Sequence, residues 1–308
     1  MSLIKRIVLF LITNIAIIVA ISILLFIIER VFGISISWYW VNYTSLFIFA
    51  LIWWFVWSFI SLFMSKWMAK RAYNIQIIWK DDVYNLWNKE RVVWQVVEEL
   101  SERHKIKMPE VGIYTDSEPN AFATGATKNS ALVAVSSWLL DNMTKDEIEW
   151  VIGHEMAHVL NWDMVTMTLL QWVLNTFVIF FARILANIVD SVTNKDSDGL
   201  GWWYYLSSIL FEILLWFLAS MIAMWFSRYR EFKADEGSAK FVWKYKMIDA
   251  LKALQKMEPV LIHTTDTEDQ KFAAFKIESK KGRGIASLFA SHPSLEDRIK
   301  HLEELRID

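Results

Sequence analysis

Four long apolar stretches constrain this chain more than any other feature. Ile7 to Ile28 is interrupted only by Thr13, Asn14 and Ser22, and as a helix it reaches across a hydrocarbon core of about 30 Å. Lys5 and Arg6 precede it, as in a secretory signal. The run is longer than a signal's apolar region, however, and no small-residue cleavage site follows, which favours an uncleaved anchor. Tyr39 to Met64 carries no charge and is followed by Lys66, Lys70 and Arg71, the pattern of a second span. Met164 to Val189 and Trp202 to Phe226 form another pair, one holding Arg183 and the other Glu212, with Asp190, Asp196 and Asp198 between them. A charge within a span is costly. Two buried helices of a soluble core, or a pair dipping partly into the bilayer, therefore stay open beside two full spans.

Positive charge flanks these runs at Lys5/Arg6, Lys66/Lys70/Arg71 and Arg228/Arg230, whereas the loops inside each pair have little. The positive-inside rule then puts both termini in the cytoplasm. The expected organisation is an N-terminal transmembrane hairpin (1–64), a cytoplasmic segment (65–163), a second transmembrane hairpin (164–226) and a second cytoplasmic segment (227–308).

The absence of cysteine excludes disulfides, thiolate metal sites and cysteine nucleophiles, so any metal must be held by His and carboxylates. No Gly-rich phosphate loop and no long basic stretch interleaved with aromatics is present, so nucleotide hydrolysis and nucleic-acid binding have no support.

His154-Glu155-Met156-Ala157-His158 is an H-E-x-x-H string in a segment of helical spacing, Lys145 to Met167, whose start is signalled by Thr144 and Glu147. Two histidines four apart share a helix face and can present their imidazoles to one zinc ion. Glu155, about 100° further round, is placed to take a proton from metal-activated water. By chance alone this spacing arises in on the order of one in a hundred chains of this length. A second string follows the fourth apolar run: Glu231-Phe232-Lys233-Ala234-Asp235. An isolated pair of this kind is usually a solvated helix face. Here an antiparallel membrane hairpin returns the chain to the side where the first motif sits. Glu231 becomes a candidate third ligand, and Asp235 a candidate partner for the far nitrogen of a ligating histidine. Three protein ligands leave a fourth position open, as catalytic zinc sites do.

Phe63 to Lys70 (FMSKWMAK), Asn120 to Gly125 (NAFATG), Val151 to Met167 (VIGHEMAHVLNWDMVTM), Trp225 to Ala239 (WFSRYREFKADEGSA) and Ser291 to Arg298 (SHPSLEDR) together resemble, in order and almost end to end, the HtpX-type heat-shock membrane proteases. More distantly the chain resembles the CAAX prenyl endopeptidases. The resemblance implies a mainly α membrane protein with four transmembrane helices and a gluzincin-like cytoplasmic zinc protease domain containing a small β-sheet. It implies one zinc per chain on His154, His158 and Glu231, Glu155 as general base, Asp235 as support, and Asn120 and His292 as substrate contacts. It also implies a stress-response role in the cell inner membrane, acting on misfolded membrane proteins or unfolded polypeptides. On the residues alone, Asn120 after Pro119 reads as a turn residue and His292 before Pro293 as a loop residue. His104, His263 and His301 read as surface residues. The sheet is expected around Val111 to Tyr114 and Leu132 to Val135, flanking the NAFATG segment.

One feature departs from that family. The chain has 18 Trp and 9 Gly, and interfacial aromatic belts do not account for the excess. Trp53, Trp54, Trp57 and Trp216 fall within spans, while Trp138, Trp150, Trp162, Trp172 and Trp243 stand where small residues are expected. The pattern suggests a genetic code in which UGA means glycine, with these codons rendered as tryptophan. Converting about fourteen brings glycine near its usual ~7%, while Trp67 and Trp225 match family tryptophans and stay. A lineage that fills its membrane core with indoles is the alternative. If the indoles are real, Trp162 is expected to crowd the zinc site. Two rival functions remain: an inactive zinc-binding membrane scaffold, tested by zinc binding without cleavage, and a four-helix transporter, tested by ion flux.

Overall fold

The computed structural model describes residues 43–85, 88–116, 120–193, 200–242 and 292–305, with scattered helical positions between 245 and 255. The first apolar run, the pair Lys5/Arg6, His263 and Trp243 lie outside the described residues.

Helix α1 (Tyr43–Ala72) continues two turns past its last apolar stretch and ends on Lys70 and Arg71, cations that suit the negative end of a helix. Strand β1 (Gln76–Ile78) follows. Helix α2 (Asn88–Arg103) buries Val93, Trp94, Val96, Val97 and Leu100, one apolar face at helical spacing. Strands β2 (Glu110–Tyr114), β3 (Ala121–Thr124) and β4 (Leu132–Ser136) complete a sheet of order β1-β2-β4-β3. β2 and β4 are parallel, while β3 runs antiparallel to β4 with Ala123 opposite Val133. The two expected strands are thus adjacent, and the segment between them, NAFATG, supplies the sheet's edge.

A short helix α3 (Ser137–Asn142) leads to α4 (Lys145–Leu160). Thr144 and Glu147 form the reciprocal capping box that the sequence predicts at the start of α4. Helices α5 (Asp163–Thr193) and α6 (Trp202–Val242) form the antiparallel hairpin, and α7 (Leu295–Glu304), capped by Ser294, closes over the far end of α6. The core gathers Val93 and Val97 of α2, Val133 of β4, Ile148, Ile152 and Met156 of α4, and Leu302 of α7.

Among the described residues three helical stretches, Ser45–Ala72, Asp163–Thr193 and Trp202–Phe241, are long and apolar enough to cross a membrane. In the most apolar windows of the hairpin helices only 17% and 6% of residues are buried by the described residues. That speaks against two helices sunk in a soluble core. Arg183 of α5 and Glu212 of α6 pair at 3.0 Å, so each interrupting charge offsets the other. At 41 residues α6 measures about 60 Å, roughly twice a hydrocarbon core. Its last turns therefore project beyond the apolar stretch, and those turns carry Glu231 and Asp235.

Candidate active site

Helix α4 presents His154, Glu155 and His158. Helix α6 packs against it at a point without side-chain bulk: a Cβ placed on Gly237 would stand 2.9 Å from the Cβ of Ala157. This close approach sets Glu231 and Asp235 beside the histidines. The two Nε2 atoms lie 3.2 Å apart. Glu231 Oε2 is 3.4 Å from His154 Nε2, and Oε1 is 3.4 Å from His158 Nε2. A tetrahedral zinc ion with bonds of about 2.0–2.2 Å has ligand–ligand edges of roughly 3.3–3.6 Å, close to these separations, in which each histidine faces a different oxygen of the Glu231 carboxylate.

Hydrogen bonding fixes which nitrogens face the centre. His154 Nδ1 lies 2.9 Å from Asp235 Oδ1, and His158 Nδ1 lies 2.5 Å from Asp163 Oδ2. With each Nδ1–H donating to a carboxylate, both Nε2 lone pairs point at Glu231. Three acceptors converging in a buried space repel one another unless a proton or a metal cation joins them, and two imidazoles with one carboxylate are a donor set that fits zinc. Among the described residues His154, His158 and Glu231 are the one such cluster.

The electrostatics agree. Burial alone would lower the His154 pKa, but its bonds to Asp235 and Glu231 hold it above the ordinary value. His158 is raised to about 10, because its bonds to Asp163 and Glu231 outweigh burial. The surrounding carboxylates thus favour positive charge at this point, and a metal binding to the neutral imidazoles takes the place of the protons they would otherwise hold. Burial pushes the Glu155 carboxyl up while the histidines pull it down. The backbone N–H of Ala123 on edge strand β3 donates to the same carboxylate, tying the sheet edge to α4. A buried carboxyl of raised pKa beside a metal centre is suited to accept and release a proton.

Asp235 is fully buried, and Arg298 of α7 reaches it with Nε at 2.7 Å and Nη2 at 2.5 Å. Neither Arg298 nor Asp163 stands out as a site residue in the sequence. The signal available was that each lies inside a block carrying the family resemblance, Asp163 five residues past His158 and Arg298 six past His292.

The other expected residues are partly assembled. His292 Nδ1 lies 3.1 Å from Glu231 Oε2 with its side chain 66% exposed, on the open side of the centre. Asn120 immediately precedes β3, its N–H donating to Ser136 Oγ at 3.1 Å and its carbonyl accepting from Ser136 N–H at 2.9 Å. His104 is exposed, as expected, with its ring against Phe241. His301 differs from a free surface residue: it is half-buried, bonds Glu236 at 3.0 Å and packs on Phe232.

Trp162 does not crowd the centre in the expected way. Its indole is 43% exposed, with Lys128 Nζ 5.1 Å from the ring centroid. The strain is in the backbone instead, where residue 162 takes φ +62 just past the end of α4, a conformation that favours glycine. Trp150 and Trp54 each bury an indole N–H without a partner, which costs stability. Trp172 does satisfy its N–H, on Leu51 O at 2.8 Å.

Comparisons with known proteins point to one family. The family model Peptidase family M48 matches residues 88–306. A protein named Protease HtpX from Pasteurella multocida (strain Pm70) is 48% identical over 300 residues, covering 97% of this chain and 98% of that one. Protease HtpX from Thioalkalivibrio sulfidiphilus (strain HL-EbGR7) is 46% identical over 304 residues, covering 98% and 99%. The crystal structure of S. mikatae Ste24p superposes with a TM-score of 0.58 at 16% identity, over 93% of this chain and 66% of that one, a likeness of fold.

Proposed function

The chain belongs to peptidase family M48 as a relative of the HtpX proteases, and from that premise we propose a zinc-dependent endopeptidase that cuts misfolded or damaged membrane polypeptides at the cytoplasmic face of the inner membrane. The observation that carries the reading is the buried cluster of His154 Nε2, His158 Nε2 and the Glu231 carboxylate, whose facing atoms lie 3.2–3.4 Å apart.

His154, His158 and Glu231 would hold the zinc, which when bound supplies a Lewis acid and lowers the pKa of water toward neutrality. Glu155 takes the proton from the attacking water and passes it to the departing amine. Its raised pKa supports both halves of that task. Asp235, gripped by Arg298, keeps His154 in the tautomer that offers Nε2. A substrate in extended conformation adds to edge strand β3. Asn120 at the start of that strand would hold the substrate backbone. His292, exposed beside Glu231, would donate to the oxygen that gains negative charge.

Such an edge needs an unfolded segment, and the membrane helices put the site close to the bilayer. The natural substrates are therefore loosened chains of membrane proteins. The test is cleavage in liposomes of a membrane protein in its folded form and as a destabilised variant. Faster cutting of the destabilised variant is expected, and equal cutting of both would overturn the substrate reading.

A further inference from the structure

We propose that Asp163 is the positioning residue for His158, and that it joins the metal centre to membrane helix α5. The inference rests on the zinc site proposed above. Each histidine has its own carboxylate, but the two come from different places. Asp235 lies on α6, the helix that also carries Glu231. Asp163 is the first residue of α5, five residues beyond His158 in sequence.

On an uninterrupted helix residue 163 would lie about 140° round from residue 158 and face away from it. The chain avoids this by breaking between α4 and α5. Asn161 ends α4, residue 162 adopts φ +62, and the new helix starts by turning Asp163 back toward the imidazole. The result is a 2.5 Å contact between Asp163 Oδ2 and His158 Nδ1, with Asp163 only 6% exposed. Its backbone is pinned as well: the carbonyl accepts from Thr166 Oγ1 at 3.1 Å and from Arg230 Nη1 at 3.3 Å. Arg230 directly precedes Glu231, so the same residue that orients His158 is tied to the element delivering the third ligand.

The geometry has a chemical consequence. A carboxylate on Nδ1 fixes the tautomer, aims Nε2 and makes that nitrogen a better donor to a metal. Because this carboxylate begins a membrane-crossing helix, the alignment of His158 depends on where α5 sits.

The experiment uses the full-length protein in detergent and measures zinc affinity by competition with a chromophoric chelator. Asp163→Ala, Asp163→Asn and Asp163→Glu are compared with Glu231→Gln as the reference for ligand loss. Thermal unfolding of each metal-free protein is recorded in parallel. Asp163→Ala is expected to weaken zinc binding about 10–100-fold. Asp163→Asn, which keeps shape and an acceptor oxygen but no charge, should lose less, and Asp163→Glu should recover part of the affinity. The cobalt-substituted Asp163→Asn protein should show a shifted visible spectrum while its metal-free unfolding midpoint stays near wild type, a combination that a merely structural role does not produce. If Asp163→Ala and Asp163→Asn both bind zinc within twofold of wild type while Glu231→Gln loses it, the inference is wrong and the metal site stands. If Glu231→Gln also keeps its zinc, the metal site itself is wrong and this inference goes with it.

Discussion

Gly237 of α6 lies so close to Ala157 of α4 that a Cβ on the glycine would stand 2.9 Å from the alanine's methyl carbon. Glu231, Asp235 and the two histidines meet because these helices touch there. Gly237→Ala gains about 1 kcal/mol of helix propensity but forces apart two groups that have no flexible end to yield. Overpacking of this kind costs about 1–3 kcal/mol. Gly237→Ala should therefore lower the unfolding midpoint and weaken zinc binding. Adding Ala157→Gly moves the methyl to the other helix and should restore most of both, as unfolding and chelator titrations of the single and double variants would reveal.

Residue 162 offers the sharpest test of the tryptophan excess. A bulky side chain at φ +62 costs about 1–2 kcal/mol, and glycine removes that cost. Trp162→Gly should raise the unfolding midpoint and leave Asp163 in place. The same reasoning predicts that the gene carries UGA at codons 138, 162 and 243, and that peptide mass spectrometry of protein from its own cells finds glycine there. UGG codons at these positions would overturn the recoding.

Glu110 at the start of β2 accepts from Lys66 at 2.8 Å and also from Lys70, joining α1 to the sheet. Burial would raise its pKa, but the two lysines hold it below the ordinary glutamate value of 4.5. A folded-state pKa below the unfolded one gives stability that is complete above about pH 4.5 and lost as pH falls through the lower folded value. At this partly exposed site the contribution is about 0.5–1 kcal/mol. Glu110→Gln should lose that amount at neutral pH and less in acid, read from denaturant unfolding at several pH values.

Arg298 is buried against Asp235. Arg298→Ala leaves a carboxylate fully buried without its cation, a change that costs about 3–5 kcal/mol. Arg298→Lys keeps the charge but not the two-pronged grip, so it should fold and bind zinc more weakly than wild type. Equal zinc affinity in Arg298→Lys would show that the grip on Asp235 is unimportant to the metal.

Much of the site was legible because its signals are local. His154 and His158 share a face through helical spacing alone, and Thr144 with Glu147 marks the start of that helix. Glu231 and Asp235 could be placed by a topological step, since a hairpin must return the chain to the side it left. The missing residues depend on long-range or irregular geometry. Arg298 meets Asp235 across 63 positions of sequence, and Asp163 reaches His158 only because the helix breaks at residue 162. The sheet was half legible for the same reason. The β-rich runs at β2 and β4 could be seen, but their parallel pairing and the placing of β3 at the edge follow from packing on α4.

The central claim is a zinc endopeptidase whose proton carrier is Glu155. The most direct measurement compares cleavage of an unfolded polypeptide by the purified full-length protein and by Glu155→Gln, with zinc content determined on the same samples. Retention of one zinc per chain with cleavage reduced by about 10²–10⁴-fold in the variant is the predicted result. Wild-type cleavage by Glu155→Gln, or a wild-type protein that binds zinc and never cuts, would contradict it.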